Sequence, residues 1–136
     1  MGTNYYVIRD VCVHCGRGDE PKHIGKNSAG WCFALHIYPD EGIRDLKDWE
    51  PLLMDPKARI EDEYGEALTP EEMLVVIKER SWVPKKEKPA GYSSWEEFYR
   101  SNYAEPGPDN LVRHKIGPYC AGHGAGPWDL ISSEFS

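Results

Sequence analysis

The alternation of apolar and polar residues along the chain switches between a period of two and a period near 3.6, which separates strands from helices. "TNYYVIRDV" (residues 3–11) predicts an opening strand that leads into the first cysteine pair, and "WCFALHIY" (31–38) predicts another with apolar residues on both faces. In "PDEGIRDLKDW", Ile43, Leu46 and Trp49 fall on one helical face, and Pro51 is expected to end that short helix. "ARIEDEYGEAL" reads as a strand that turns at Gly65 in a hairpin-like way. "TPEEMLVVIKER" carries every start signal of a helix: Thr69 as N-cap, Pro70 at the first position, and Glu72 as the reciprocal partner of Thr69. Its apolar face is Met73, Leu74 and Ile77. "NLVRHKIG" and the closing "PWDLISSEFS" each predict a late strand.

Residues 83–110 break this rhythm. They are rich in proline and hold a second capping pattern, Ser94 to Glu97, ahead of Trp95, Phe98 and Tyr99. The segment reads as an inserted arm with one short aromatic helix. It serves either to dock a partner through its aromatic side chains or as a flap on the parent core. The expected fold class is therefore α+β: one small zinc-stabilised domain over residues 1–136, with an antiparallel sheet, two or three short helices and the Pro-rich insertion at 83–110.

Composition narrows the function. At 136 residues the chain is long enough for one self-sufficient core. The 23 acidic residues against 16 Lys and Arg, a net charge of −7, supply no basic field for phosphate backbones, so nucleic acid is an unlikely partner. Neither a signal-peptide pattern nor an apolar run long enough to span a bilayer occurs, so the expectation is a cytoplasmic protein with no membrane association. A reducing compartment makes disulfides an unlikely use for 4 cysteines.

Their spacing offers another use. Cys12 and Cys15 are arranged C-x2-C and followed by Gly16, the residue that lets a knuckle turn tightly enough to aim backbone N–H groups at metal-bound thiolates. Far downstream, "YCAGHG" repeats the design with Cys120, His123 and Gly124. The two halves predict one tetrahedral zinc site of Cys12, Cys15, Cys120 and His123, clamping two neighbouring strand ends. His23 competes for the fourth position. His14 points away from the metal in such a turn. Cys32 reads as a buried, inert thiol, and His36 and His114 as ordinary strand histidines.

The polar stretch "HIGKNSAGW" lacks the P-loop's first glycine and its Ser or Thr after lysine, since Glu20 and Asn27 hold those positions. What remains is a glycine-containing turn next to a knuckle, able to act as an anion cradle. Its candidate ligand-binding residues are His23, Lys26, Ser28 and Trp31.

The strings "TNYY", "CxxCGRxDEPxHIGKxSAGW", "DEYGEALTPEEM" and "WDLISSEFS" resemble a family of small uncharacterised proteins encoded by tailed bacteriophages. The likeness covers nearly the whole chain apart from residues 83–110. It implies a phage protein acting in the cytoplasm of a bacterial host, with no particular activity attached. The function expected on these grounds is a non-enzymatic, zinc-stapled accessory module. It would capture a small phosphate-bearing, nucleotide-like ligand or a host protein, for example to counter host defence. The alternatives are a metal-dependent enzyme such as a nuclease, which would need an open zinc position and a catalytic base, and a zinc-ribbon nucleic-acid binder or acidic DNA mimic. The oligomeric state is not encoded in any motif.

Overall fold

A computed structural model describes residues 2–12, 14–28, 32–79, 91–107, 111–115 and 128–135. Among the described residues, eight strands and three helices follow one another. The strands are β1 (Gly2–Ile8), β2 (Lys22–Ser28), β3 (Ala34–His36), β4 (Arg59–Asp62), β5 (Ala67–Leu68), β6 (Ala104–Pro106), β7 (Leu111–Arg113) and β8 (Asp129–Ile131). The helices are α1 (Leu46–Leu53), α2 (Pro70–Glu79) and α3 (Trp95–Ser101), with a 3-10 turn at Pro39–Glu41. The fold class is α+β, built on one sheet in the order β5-β4-β1-β2-β3-β8-β7-β6.

The expected antiparallel sheet is in fact mixed. β1 pairs antiparallel with β2 and β4, and β2 with β3, but β8 lies between β3 and β7 and runs parallel to both. The long connections before β8 allow this, because parallel neighbours need a crossover where antiparallel ones need only a turn. One consequence is that β1, β3, β8 and β7 all point the same way, so their carboxyl ends share one end of the sheet.

The main core lies on one face of the sheet. Tyr5, Val7, Ile24, Leu35, Ile60 and Leu130 meet Leu46, Trp49 and Leu53 of α1 and Met73 and Ile77 of α2. The Thr69–Glu72 capping box forms as expected: Glu72 N donates to Thr69 Oγ1 at 3.1 Å and Thr69 N to Glu72 Oε1 at 2.9 Å. Pro51 does not end α1. The helix runs on to Leu53, whose burial and the Met54 N to Glu50 O bond at 3.0 Å outweigh the lost donor.

The 83–110 segment contributes to the sheet. β6, within it, pairs with β7 and forms one edge of the sheet, opposite the β5 edge. Phe98 of α3 is fully buried outside the main cluster, with the rings of Tyr92, Trp95 and Tyr99 around it. Residues 83–90 and 108–110 lie outside the described residues. No helix among the described residues is long and apolar enough to cross a membrane.

Candidate functional site

The first half-knuckle takes the shape that its sequence calls for. Gly16 has φ +74°, a left-handed value that any Cβ would strain, and its N–H donates to Cys12 O at 2.9 Å. Cys12 N in turn donates to Arg17 O at 2.6 Å, which closes the loop. The backbone N–H of Cys15, then that of His14, and then the Cys15 thiol hold the Cys12 pKa below the ordinary thiol value. Cys12 and Cys15 are both exposed at the end of the sheet where β1 leaves it. Cys120 and His123 lie outside the described residues, and among those described no group of three His, Cys, Asp or Glu side chains stands ready for a metal.

The expected clamp between neighbouring strand ends needs correcting. β1 and β7 are separated by β2, β3 and β8. At about 4.8 Å per strand spacing, the gap is roughly 19 Å. Cys120 nevertheless follows the end of β7 by enough chain, at about 3.3 Å per residue, to reach across it. Because β1 and β7 are parallel, both leave the sheet at the same end.

The polar stretch after the knuckle is a strand where a turn was expected. Residues 22–28 form β2 between β1 and β3, so its main chain is used for pairing and is not fanned into an anion nest. The glycine of "HIGK" has a packing reason. A Cβ on Gly25 would stand 2.3 Å from Ala34 O and 2.5 Å from the Phe33 ring. The register also slips between Tyr5 and Tyr6, where Ile24 is the extra residue of a bulge. His23 therefore faces Tyr6, Lys26 faces Asn4 and Ser28 faces Gly2. A regular strand would put 23, 25 and 27 on one face; the bulge puts His23, Lys26 and Ser28 there instead. Three of the four residues expected to bind ligand thus share the sheet face opposite the main core. Trp31 lies outside the described residues.

Both ring nitrogens of His23 are engaged in hydrogen bonds within the sheet. Its Nε2 lies 2.8 Å from Asn4 Oδ1, and its Nδ1 lies 3.0 Å from Nδ1 of His36 on β3. An amide oxygen only accepts, so His23 donates through Nε2, its Nδ1 is bare, and His36 carries the proton that joins the two rings. Tyr38 donates to His23 O at 2.8 Å, stacks on His36 at a centroid distance of 4.2 Å, and places its oxygen 3.2 Å from His36 Nδ1. Phe135 closes over both imidazoles, at 4.7 and 5.1 Å. With both histidines neutral every proton in this chain of bonds has a place, and two imidazolium rings could not share the Nδ1–Nδ1 contact.

The environment keeps them so. Burial, followed by the neighbouring His36 and opposed by Glu134, pushes His23 down to about 4; burial and the Lys22 charge push His36 down to about 4. Tyr38 is raised above the ordinary phenol value, first by burial and then by Glu134 and Glu41. Cys32, as expected, is a buried thiol, raised to about 12 mainly by burial. His114, in contrast, is exposed, 3.5 Å from Glu105.

Above the histidine pair opens a cleft of about 360 Å³ lined by Tyr6, Glu20, Lys22, His23, Tyr38 and Glu134. Lys22 binds both Glu41 oxygens, at 2.9 and 3.0 Å, with its Nζ 4.1 Å from the Tyr38 ring centre. Sequence reasoning missed Asn4, Tyr6, Glu20, Lys22, His36, Tyr38 and Glu134. Part of the signal was present: in "NYYV" and "LHIY" the alternate positions Asn4, Tyr6, His36 and Tyr38 are polar or amphipathic, marking a second, polar sheet face. No family model matches this chain, and neither a curated protein nor a solved structure does.

Proposed function

We propose that this protein is a zinc-stapled binding module, a phage accessory protein whose working surface is the cleft over His23 and His36. The observation that carries this reading is continuity. The knuckle at Cys12–Gly16 holds one end of a short loop, β2 holds the other, and Glu20 and Lys22 at that second end form the cleft rim. Zinc held by Cys12, Cys15, Cys120 and His123 would fix the rim in place, which is the preorganisation that binding needs. A cleft of this size suits a small molecule or a single side chain better than a protein surface.

Binding fits the groups better than catalysis does. A general acid or base works best with a pKa near the working pH. Two imidazoles held at about 4 are neutral at pH 7, far below that optimum. His23 forms part of the cleft wall and His36 holds it in place from behind, both uncharged. Capture of a ligand or of an inserted host side chain in the host cytoplasm would suit a phage protein acting against host defence.

Native mass spectrometry of the protein purified from phage-infected cells tests the reading. One zinc per chain and a retained small ligand are expected, with Cys12→Ser and Cys120→Ser each abolishing the metal. Full zinc occupancy in Cys120→Ser removes the staple. A metal-loaded protein that carries no ligand and whose Tyr6→Ala and Lys22→Ala variants retain full effect in a phage-fitness assay removes the cleft.

A further inference from the structure

We infer that the cleft selects a small organic cation, an ammonium or guanidinium carried on a ring or short chain; this rests on the cleft being the working surface. The charges around it decide the sign. Glu20 and Glu134 line the cleft, and neither has an ion-pair partner among the described residues. The lining cation, Lys22, is already held by both oxygens of Glu41. Counting that pair as neutral, the lining carries two negative charges. The field of Glu134 reaches the floor, where it acts on both His23 and Tyr38.

The rings point the same way. Tyr6 borders the cleft and is the ring left for a ligand; Tyr38, beside it, has one face on His36 and the other under the Lys22 ammonium, at 4.1 Å from the ring centre. Aromatic faces attract cations through their quadrupole and have no such attraction for anions. A phosphate placed here would face two carboxylates and find no uncommitted cation in the lining. Lys26 and Ser28 converge instead over Gly2: Lys26 Cε and Ser28 Oγ lie within 2.8 and 2.6 Å of where its Cβ would be. Gly2 is at the far end of β1 from Tyr6, roughly 13 Å along the strand.

Three matched probes separate the possibilities: benzylammonium, benzyl alcohol and benzyl phosphate, titrated into the zinc-loaded full chain and followed by amide and imidazole NMR shifts. Benzylammonium is expected to move the resonances of Lys22, His23, Tyr38 and Glu134, and to bind several-fold more tightly than the alcohol. Raising the salt concentration should weaken it. Glu20→Gln and Glu134→Gln change exposed side chains, and each is expected to weaken benzylammonium two- to fivefold, the range of an exposed ion pair. Equal binding of the alcohol overturns the proposed charge selection. Tighter binding of benzyl phosphate, strengthened by the Gln substitutions, shows a real cleft of opposite preference and overturns the proposal while leaving the binding reading intact. If no probe moves any cleft resonance, both fall.

Discussion

Acid should unfold this protein through the histidine pair, and the size of the effect follows from the structure. His23 and His36 are 8% and 2% exposed, and each is held at about 4 against 6.5 for a free imidazole. That depression corresponds to about 3 kcal/mol of differential proton binding per ring. The rings share one hydrogen bond and one environment, so the pair together contributes about 4–5 kcal/mol, less than twice the single value. The sign is fixed by which state takes up protons. Above pH 6.5 both states are neutral and stability is whole. Between 6.5 and 4 the unfolded chain binds protons that the folded chain refuses, so stability falls with pH; below 4 this contribution is flat. Urea unfolding followed by tryptophan fluorescence at pH 7.5, 6.5, 5.5 and 4.5 measures the loss. His36→Phe removes one titrating ring and keeps an aromatic surface for Tyr38 and Phe135. The difference between its slope and that of the unsubstituted protein cancels the carboxylate and metal contributions. The variant is expected to lose about half of the excess slope. Imidazole NMR showing either ring titrating near 6.5, or identical slopes for both proteins between pH 6.5 and 4, refutes the reasoning.

Other substitutions probe separate parts of the molecule. Gly25→Ala should destabilise by about 2–4 kcal/mol in urea unfolding, because its Cβ would collide with Ala34 O and the Phe33 ring; a change below about 0.5 kcal/mol would show that β3 moves aside freely. Phe98→Ala should cost about 3–5 kcal/mol, the range for emptying a buried aromatic site; a negligible cost would make the arm peripheral to the fold. Chelation should lower the melting temperature sharply if zinc joins the knuckle to Cys120, because the site links distant stretches of chain; an unchanged melting curve counts against the staple. Cys32 should resist alkylation in the folded protein while Cys12 reacts once metal is removed; mass mapping of the adducts checks both.

Several features could be read from residues alone because short-range chemistry settles them. The Thr69–Glu72 box starts α2, Ser94 caps α3, Gly65 turns the β4–β5 hairpin at φ +84°, and Gly16 turns the half-knuckle. Each depends on dihedrals and hydrogen bonds within a few residues. "TNYYVIRDV" likewise marked the opening strand through its run of β-favouring residues, while the choice of Tyr5 and Val7 for the main core was left to packing. The burial of Cys32 followed from the apolar residues on both sides of it.

Tertiary structure decided the rest. Whether β8 would run parallel or antiparallel to its neighbours depended on which gap in the sheet the returning chain filled, and no local pattern records that. Pro51 was a valid local stop signal that the burial of Leu53 overruled. "HIGKNS" held turn residues and still became β2, because β1 on one side and β3 on the other offered its main chain partners, and Gly25 was needed for the approach of Phe33 rather than for a bend. The bulge at Ile24, a single extra residue, then set which side chains share a face. It brought His23 against His36 and Asn4, residues whose meeting depends on three strands lying side by side. Sequence could supply the polar residues of that face one by one; their hydrogen-bonded order, their neutrality and the cleft above them arise only when distant strands pack and exclude water.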